Sequence, residues 1–154
     1  MPKEPAPPNL SKLENAAMIA ARSAYAPYSR FRVGAAVIAS SGRMYTGCNI
    51  ENASYGLCNC AERTAIFTAI AAGETAITHV AVYTPTPKPT SPCGACRQVI
   101  NEFGPHARIL SLCDSEGRLD TTLEDLLPDA FGPESLTNPA RKSAGTRDRI
   151  QLPK

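Results

Sequence analysis

"GLCNCAERTAIFTAIAAG", residues 56–73, decides how the rest of the chain is read. From Cys60 onward it is rich in alanine, carries Ile66, Phe67 and Ile70, and stops at Gly73. That is a helix closed by a glycine just past its end. On its N-terminal side, "RVGAAVIAS" (32–40) and "MYTGCNI" (44–50) are short apolar runs around a Ser-Gly turn, which predicts a β-hairpin. "ENASYGLCN" (51–59) between hairpin and helix is loop-like, rich in Asn, Ser and Gly. On its C-terminal side, "THVAVYT" (78–84) reads as a strand and the alternating prolines of "PTPKPTSP" (85–92) as a loop.

The same reading extends to both ends. "CGACRQVINEFG" (93–104) is a helix ended by Gly104, "ARILSLCD" (107–114) a strand, "SEGR" (115–118) a turn and "TLEDLLPDAF" (122–131) a short last helix. Upstream, Ser11 and Glu14 form a capping-box pattern. Leu13, Ala16, Ala17, Ile19 and Ala20 then recur at helical spacing, in a helix expected to end near Pro27. Helices alternating with strands and a hairpin predict an α/β domain: a three-layer α/β/α sandwich with a mixed central sheet of about five strands. Residues 1–10 read as a flexible proline-rich leader, 11–136 as one folded domain and 137–154 as a polar, flexible tail.

Composition excludes several classes. A chain of 154 residues with 43% hydrophobic and 19% charged residues suits a single globular domain. There is no apolar run of about 18 residues, so no membrane partner is expected. "MPKEPAPPNL" has no signal-peptide core, and the expected location is the cytoplasm. A net charge of +2 is too small to argue for a nucleic-acid partner, and Arg141, Lys142, Arg147 and Arg149 are interleaved with polar residues in the tail. Six cysteines would allow three disulfides, but in a reducing compartment clustered thiols more often bind metal or do chemistry.

Cys93 and Cys96, spaced i and i+3 at a helix start, can converge on one ion. Alone, that spacing also suits half a zinc ribbon, a redox dithiol or two small buried residues. Cys60 opens the other helix, and three thiolates leave the fourth position of a tetrahedral zinc open, as in a catalytic site. Helix N-termini favour thiolates, and Arg63 and Arg97, each near a ligand, are candidates to balance their charge, or else members of surface ion pairs. Glu62, two residues after Cys60, can carry a proton to and from water at such a metal. It would equally suit the dipole of a first helical turn.

"YSRFRVGAAV", "GCNIENASYG", "CNCAERTA", "SPCGACRQV" and "LLPDAFGPE" together resemble the small, homotetrameric cytidine deaminases, over roughly residues 11 to 136. The resemblance implies hydrolytic, zinc-dependent deamination of cytidine and 2′-deoxycytidine to the uridines and ammonia, in pyrimidine salvage. Cys60, Cys93 and Cys96 would hold one Zn²⁺ per subunit and Glu62 would shuttle protons, delivering one to N3 of the base and one to the departing amine. The Ala61 N–H would hold the base O2, Phe31 would pack against the base, and Asn49 with Glu51 would bind the ribose 3′-hydroxyl. Ala53, Tyr55 and Phe131 would reach a neighbouring subunit's site, making each site of a homotetramer composite. Arg63 would balance the thiolates.

Other readings compete. One is a zinc deaminase acting on blasticidin, tRNA or single-stranded DNA, against which the Asn49–Glu51 pair and the lack of a basic stripe both argue. Another is a non-catalytic zinc module closed by Cys58, Cys48 or a histidine. Cys58 is expected to be a bystander in the loop, and Cys48 and Cys113 to be buried structural thiols in strands. His79 and His106 lack ligand spacing.

Overall fold

In the computed structural model, residues 7–136 are described, so most of the expected leader and the whole of the expected tail lie outside the described residues. Asn9 rather than Ser11 caps the first helix, α1 (Leu10–Ala20): its side chain accepts a 3.0 Å hydrogen bond from the Lys12 N–H. Asparagine suits the cap because its short amide oxygen reaches the unpaired N–H groups of the first turn. The helix also stops before Pro27. After a single 3₁₀ turn (Ala21–Ser23) the chain extends, and Tyr25 pairs with the segment after the hairpin, Tyr25 N–H to Asn49 O at 3.0 Å and Glu51 N–H to Tyr25 O at 2.8 Å.

The hairpin forms as expected, from β1 (Gly34–Ala39) and β2 (Met44–Cys48). β3 (Ile77–Tyr83) pairs antiparallel with β1 and parallel with β4 (Arg108–Leu112). The fifth strand is β5 (Arg118–Thr122), an edge strand antiparallel to β4 in the stretch between the expected turn and the last helix. Its alternating polar and apolar residues are too few to stand out in the sequence. The order β2-β1-β3-β4-β5 makes the sheet mixed, as predicted.

All six residues of β1 are buried, so both faces of the sheet are covered at its centre. On one face Ala36 and Ile38 pack with Leu13 and Ala17 of α1. On the other, Ala35, Val37 and Ala39 pack with Ala61, Ala65 and Ala69 of α2 (Ala61–Ala71). Ile100 of α3 (Gly94–Phe103) and Leu123 of the one-turn α4 (Leu123–Leu126) lie in the same cluster. The result is the three-layer sandwich. Buried Glu74, just beyond α2, ties that helix to the hairpin by accepting bonds from Ser41 Oγ, Arg43 Nε and Tyr45 OH at 2.9, 2.6 and 2.8 Å.

Gly47 sets where α2 begins. A Cβ on Gly47 would lie 2.3 Å from Ala65 N and 2.8 Å from Ala61 O, so the backbone of β2 rests directly on the first turns of α2. Backbone cannot yield as a flexible side chain can, so Gly47→Ala should cost about 3 kcal/mol or more. Gly56→Ala, where a Cβ would meet nothing within 4 Å, should change stability little. Thermal unfolding of the two variants checks this.

Candidate active site

Two helices of this domain start at a cysteine. Cys60 is the N-cap of α2 and Cys93 the N-cap of α3, and neither sulfur bonds to its own helix's N–H groups. Side-chain oxygens fill that position well; a thiol there leaves its sulfur available for something else. Cys96 lies one turn into α3 and is buried. The ligand atoms of Cys60, Cys93 and Cys96 all lie within 4.8 Å of one another, with Cys60 Sγ and Cys93 Sγ 3.9 Å apart. Tetrahedral zinc with Zn–S bonds of about 2.3 Å needs sulfurs about 3.8 Å apart, so the trio fits one zinc ion. Among the described residues no fourth Cys, His, Asp or Glu joins the group.

The charge around the sulfurs suits a metal. Hydrogen bonding from Cys96, with Arg63 adding, pulls the Cys60 thiol down to about 5, which favours its thiolate form. The same contact, with burial, pushes Cys96 up. Arg63 Nη2 lies 3.4 Å from Cys60 Sγ and 3.4 Å from Cys58 O, so Arg63 faces the Cys60 sulfur. Arg97 does not: it donates to Pro92 O (2.7 Å), Leu126 O (2.8 Å) and Ser91 Oγ (2.8 Å), tying the start of α3 to α4. Cys58 is a bystander to the trio, its sulfur lying 3.3 Å from the Asn52 N–H and 3.6 Å from Asn52 O. Cys113 is buried beside Ser115, while Cys48 on β2 is only half-buried. His79 is on β3, and His106 pairs with Glu124.

Beside the sulfurs a cleft of about 250 Å³ opens. Cys60, Ala61, Glu62 and Cys93 form one wall, and Phe31, Asn49 and Glu51 line it as well. Glu62 is 5% exposed, and its burial pushes the carboxyl up from the usual range. Glu51 is shifted the other way. The Ser29 hydroxyl, followed by the Tyr28 and Ser29 N–H groups, holds its carboxyl below the ordinary range. Tyr28 N–H and Ser29 N–H donate to Glu51 Oε2 at 2.9 and 3.2 Å, and Ser29 Oγ donates to Oε1.

Asn49 is oriented without ambiguity. Its Oδ1 accepts from Val33 N–H at 2.8 Å and its Nδ2 donates to Phe31 O at 2.8 Å, so the amide cannot be flipped. One N–H of Nδ2 is left over, and one acceptor site on Glu51 Oε1. Both groups line the same cleft, so it presents one donor and one acceptor to a ligand.

Ala53, Tyr55 and Phe131 do not line this cleft. Ala53 is exposed, Tyr55 is 74% exposed with its ring 5.9 Å from that of Tyr28, and Phe131 is 59% exposed, its carbonyl held by Gln98 and Asn101 of α3. Sequence reasoning passed over Thr84, Thr90 and Ser91, which also line the cleft. Ser91 had a signal in its place just before Pro92-Cys93; the two threonines had none.

Comparison with known proteins agrees with this geometry. The family model for the cytidine and deoxycytidylate deaminase zinc-binding region matches residues 8–112, which contain Cys60, Glu62, Cys93 and Cys96. A cytidine deaminase of Sporosarcina psychrophila is 48% identical over 124 residues, 80% of this chain and 91% of that one. A cytidine deaminase of Halalkalibacterium halodurans is 46% identical over 123 residues, 79% of this chain and 93% of that one. The crystal structure of cytidine deaminase from Burkholderia pseudomallei superposes with a TM-score of 0.77 at 49% identity, covering 80% of this chain and 99% of that one. The sheet, the three convergent thiols and these similarities together place the chain in the cytidine deaminase family.

Proposed function

We propose that this chain hydrolyses cytidine and 2′-deoxycytidine to uridine and 2′-deoxyuridine, releasing ammonia. One observation carries the reading: a single cleft joins the three-thiol centre and buried Glu62 to an oriented Asn49–Glu51 pair that suits one sugar hydroxyl. Cys60, Cys93 and Cys96 would hold one zinc ion, whose Lewis acidity when bound would bring the pKa of water towards about 7.

The chain's own groups do the rest. Glu62, desolvated at the helix start, takes the proton of the attacking water and delivers it to N3 of the cytosine ring. It takes the second proton and passes it to the C4 amine, which departs as ammonia. Burial raises its carboxyl above the ordinary carboxylate range, which favours the protonated form the second transfer needs more than an exposed glutamate would. The Ala61 N–H belongs to the first turn of α2, where backbone donors have no partner within the helix, and it holds the base O2. Phe31 packs against the ring. Glu51, whose carboxyl is held below the ordinary range, accepts a hydrogen bond from the 3′-hydroxyl, and the remaining Asn49 N–H donates to the same oxygen. A polynucleotide, with phosphate on that oxygen, has no proton to offer Glu51.

Exposed Tyr55 and Phe131, with Ala53, support a homotetramer in which each site is completed by its neighbours. The setting we infer is the cytoplasm, in pyrimidine salvage. No helix among the described residues is long and apolar enough to cross a membrane. Arg63 balances the thiolates in this scheme.

Zinc-loaded protein mixed with cytidine should show the ultraviolet change of conversion to uridine. Glu62→Gln should keep its zinc and lose turnover by a factor of about 10³ or more. Turnover persisting in that variant would rule out the proton-carrier role, and no reaction with either nucleoside would rule out the substrate. Light scattering coupled to gel filtration should find activity in a four-chain species; an active monomer would refute the composite site.

A further inference from the structure

The segment that brings Phe31 to the cleft is tied to Glu51 and Asn49 by hydrogen bonds, and the Ser29 hydroxyl links two of its points. Ser29 Oγ donates to Glu51 Oε1, and the same oxygen accepts from the Phe31 N–H at 3.0 Å. The Ser29 N–H donates to Glu51 Oε2 as well. Between Ser29 and Phe31, Arg30 sits in the left-handed region at φ 58°, which a side chain with a Cβ adopts only when its surroundings hold it there. The Ser29 hydroxyl, bridging across Arg30 to the next N–H, is part of what holds it.

A hydroxyl has one proton to give, and Ser29 gives it to Glu51. That contact fixes which lone pair of Oε1 is left facing the cleft. With Oε2 engaged by two N–H groups, a ligand hydroxyl has a single direction from which to reach the carboxylate. Without the Ser29 hydroxyl, Oε1 would be free to rotate toward bulk water, and the Phe31 N–H would lose its acceptor.

We propose that Ser29 is a positioning residue that sets the sugar preference of the site, holding Glu51 and Phe31 in register so that a 3′-hydroxyl and the base are recognised together. This rests on the reading of Glu51 as the sugar-hydroxyl acceptor. Ser29 is exposed in a hollow it shares with Tyr28, Glu51, Tyr55 and Cys58, of which Glu51 and Cys58 also line the cleft, and it belongs to neither core cluster.

The test compares kcat and KM of the zinc-loaded full chain on cytidine and on 3′-deoxycytidine, for the wild type, Ser29→Ala, Ser29→Cys and Ser29→Thr. The wild type should prefer cytidine. Ser29→Ala should shrink that preference by about tenfold, mainly by raising KM for cytidine, with kcat within about threefold. Ser29→Cys keeps the volume but bonds weakly, and should shrink it likewise, so a folding defect in the alanine variant does not decide the outcome. Ser29→Thr keeps the hydroxyl and should restore the preference. If Ser29→Ala and Ser29→Cys lose activity equally on both substrates, leaving the ratio unchanged, Ser29 only shapes the loop and the proposal fails. If the wild type does not distinguish the two nucleosides, the sugar-hydroxyl role of Glu51 fails and that of Ser29 with it, while the loss of turnover in Glu62→Gln stands apart from both.

Discussion

The structure depends on two helix N-termini meeting over one face of the sheet. Three sulfurs this close would repel one another as thiolates, and the fold offsets that charge from three directions. The starts of α2 and α3 each present partial positive charge, and the Arg63 guanidinium faces Cys60. A bound zinc ion adds its two charges at the centre. The sheet enforces the meeting. Gly47 lets β2 lie against the backbone of α2, and the parallel β3–β4 pair sets α3 down beside it as their crossover.

From that meeting the division of labour in the cleft follows. Glu62 is buried at a helix tip among sulfurs, and its carboxyl is pushed up. Glu51, on the chain after β2, is cradled by a hydroxyl and two N–H groups, and its carboxyl is held down. Two carboxyls in one cleft are thereby shifted in opposite directions, which suits the proposed roles of Glu62 in carrying protons and of Glu51 in accepting a hydrogen bond. The same fold supplies both environments. A helix start backed by alanines excludes water, whereas a tight polar turn replaces water with its own donors.

How much of this the sequence discloses depends on how local the cause is. Cys60 with Glu62, and Cys93 with Cys96, are local patterns, and both helices are bounded by glycines, so the thiol centre and most of the sheet could be read directly. β5 could not, because its pairing with β4 rather than its own pattern makes it a strand. Asn9 displaced Ser11 as the cap of α1 because the helix takes in Leu10, which packs against the core cluster under α1. Arg97 looked like a partner for thiolates from its place beside Cys96, yet its guanidinium turns to backbone carbonyls up to 29 residues away. Ser29 was invisible for the same reason: its partner Glu51 is 22 residues distant, and only the return of the chain at Tyr25 brings them together.

Three thiolates that hold one zinc ion leave its fourth position open for water. X-ray absorption at the zinc edge of the purified protein tests it most directly. An open three-thiolate site should show three sulfur neighbours at about 2.3 Å and one oxygen at about 2.0 Å, with the oxygen shell perturbed when a nucleoside is added. Four sulfur neighbours, or a shell that nucleoside leaves untouched, would mark a closed structural site and contradict it.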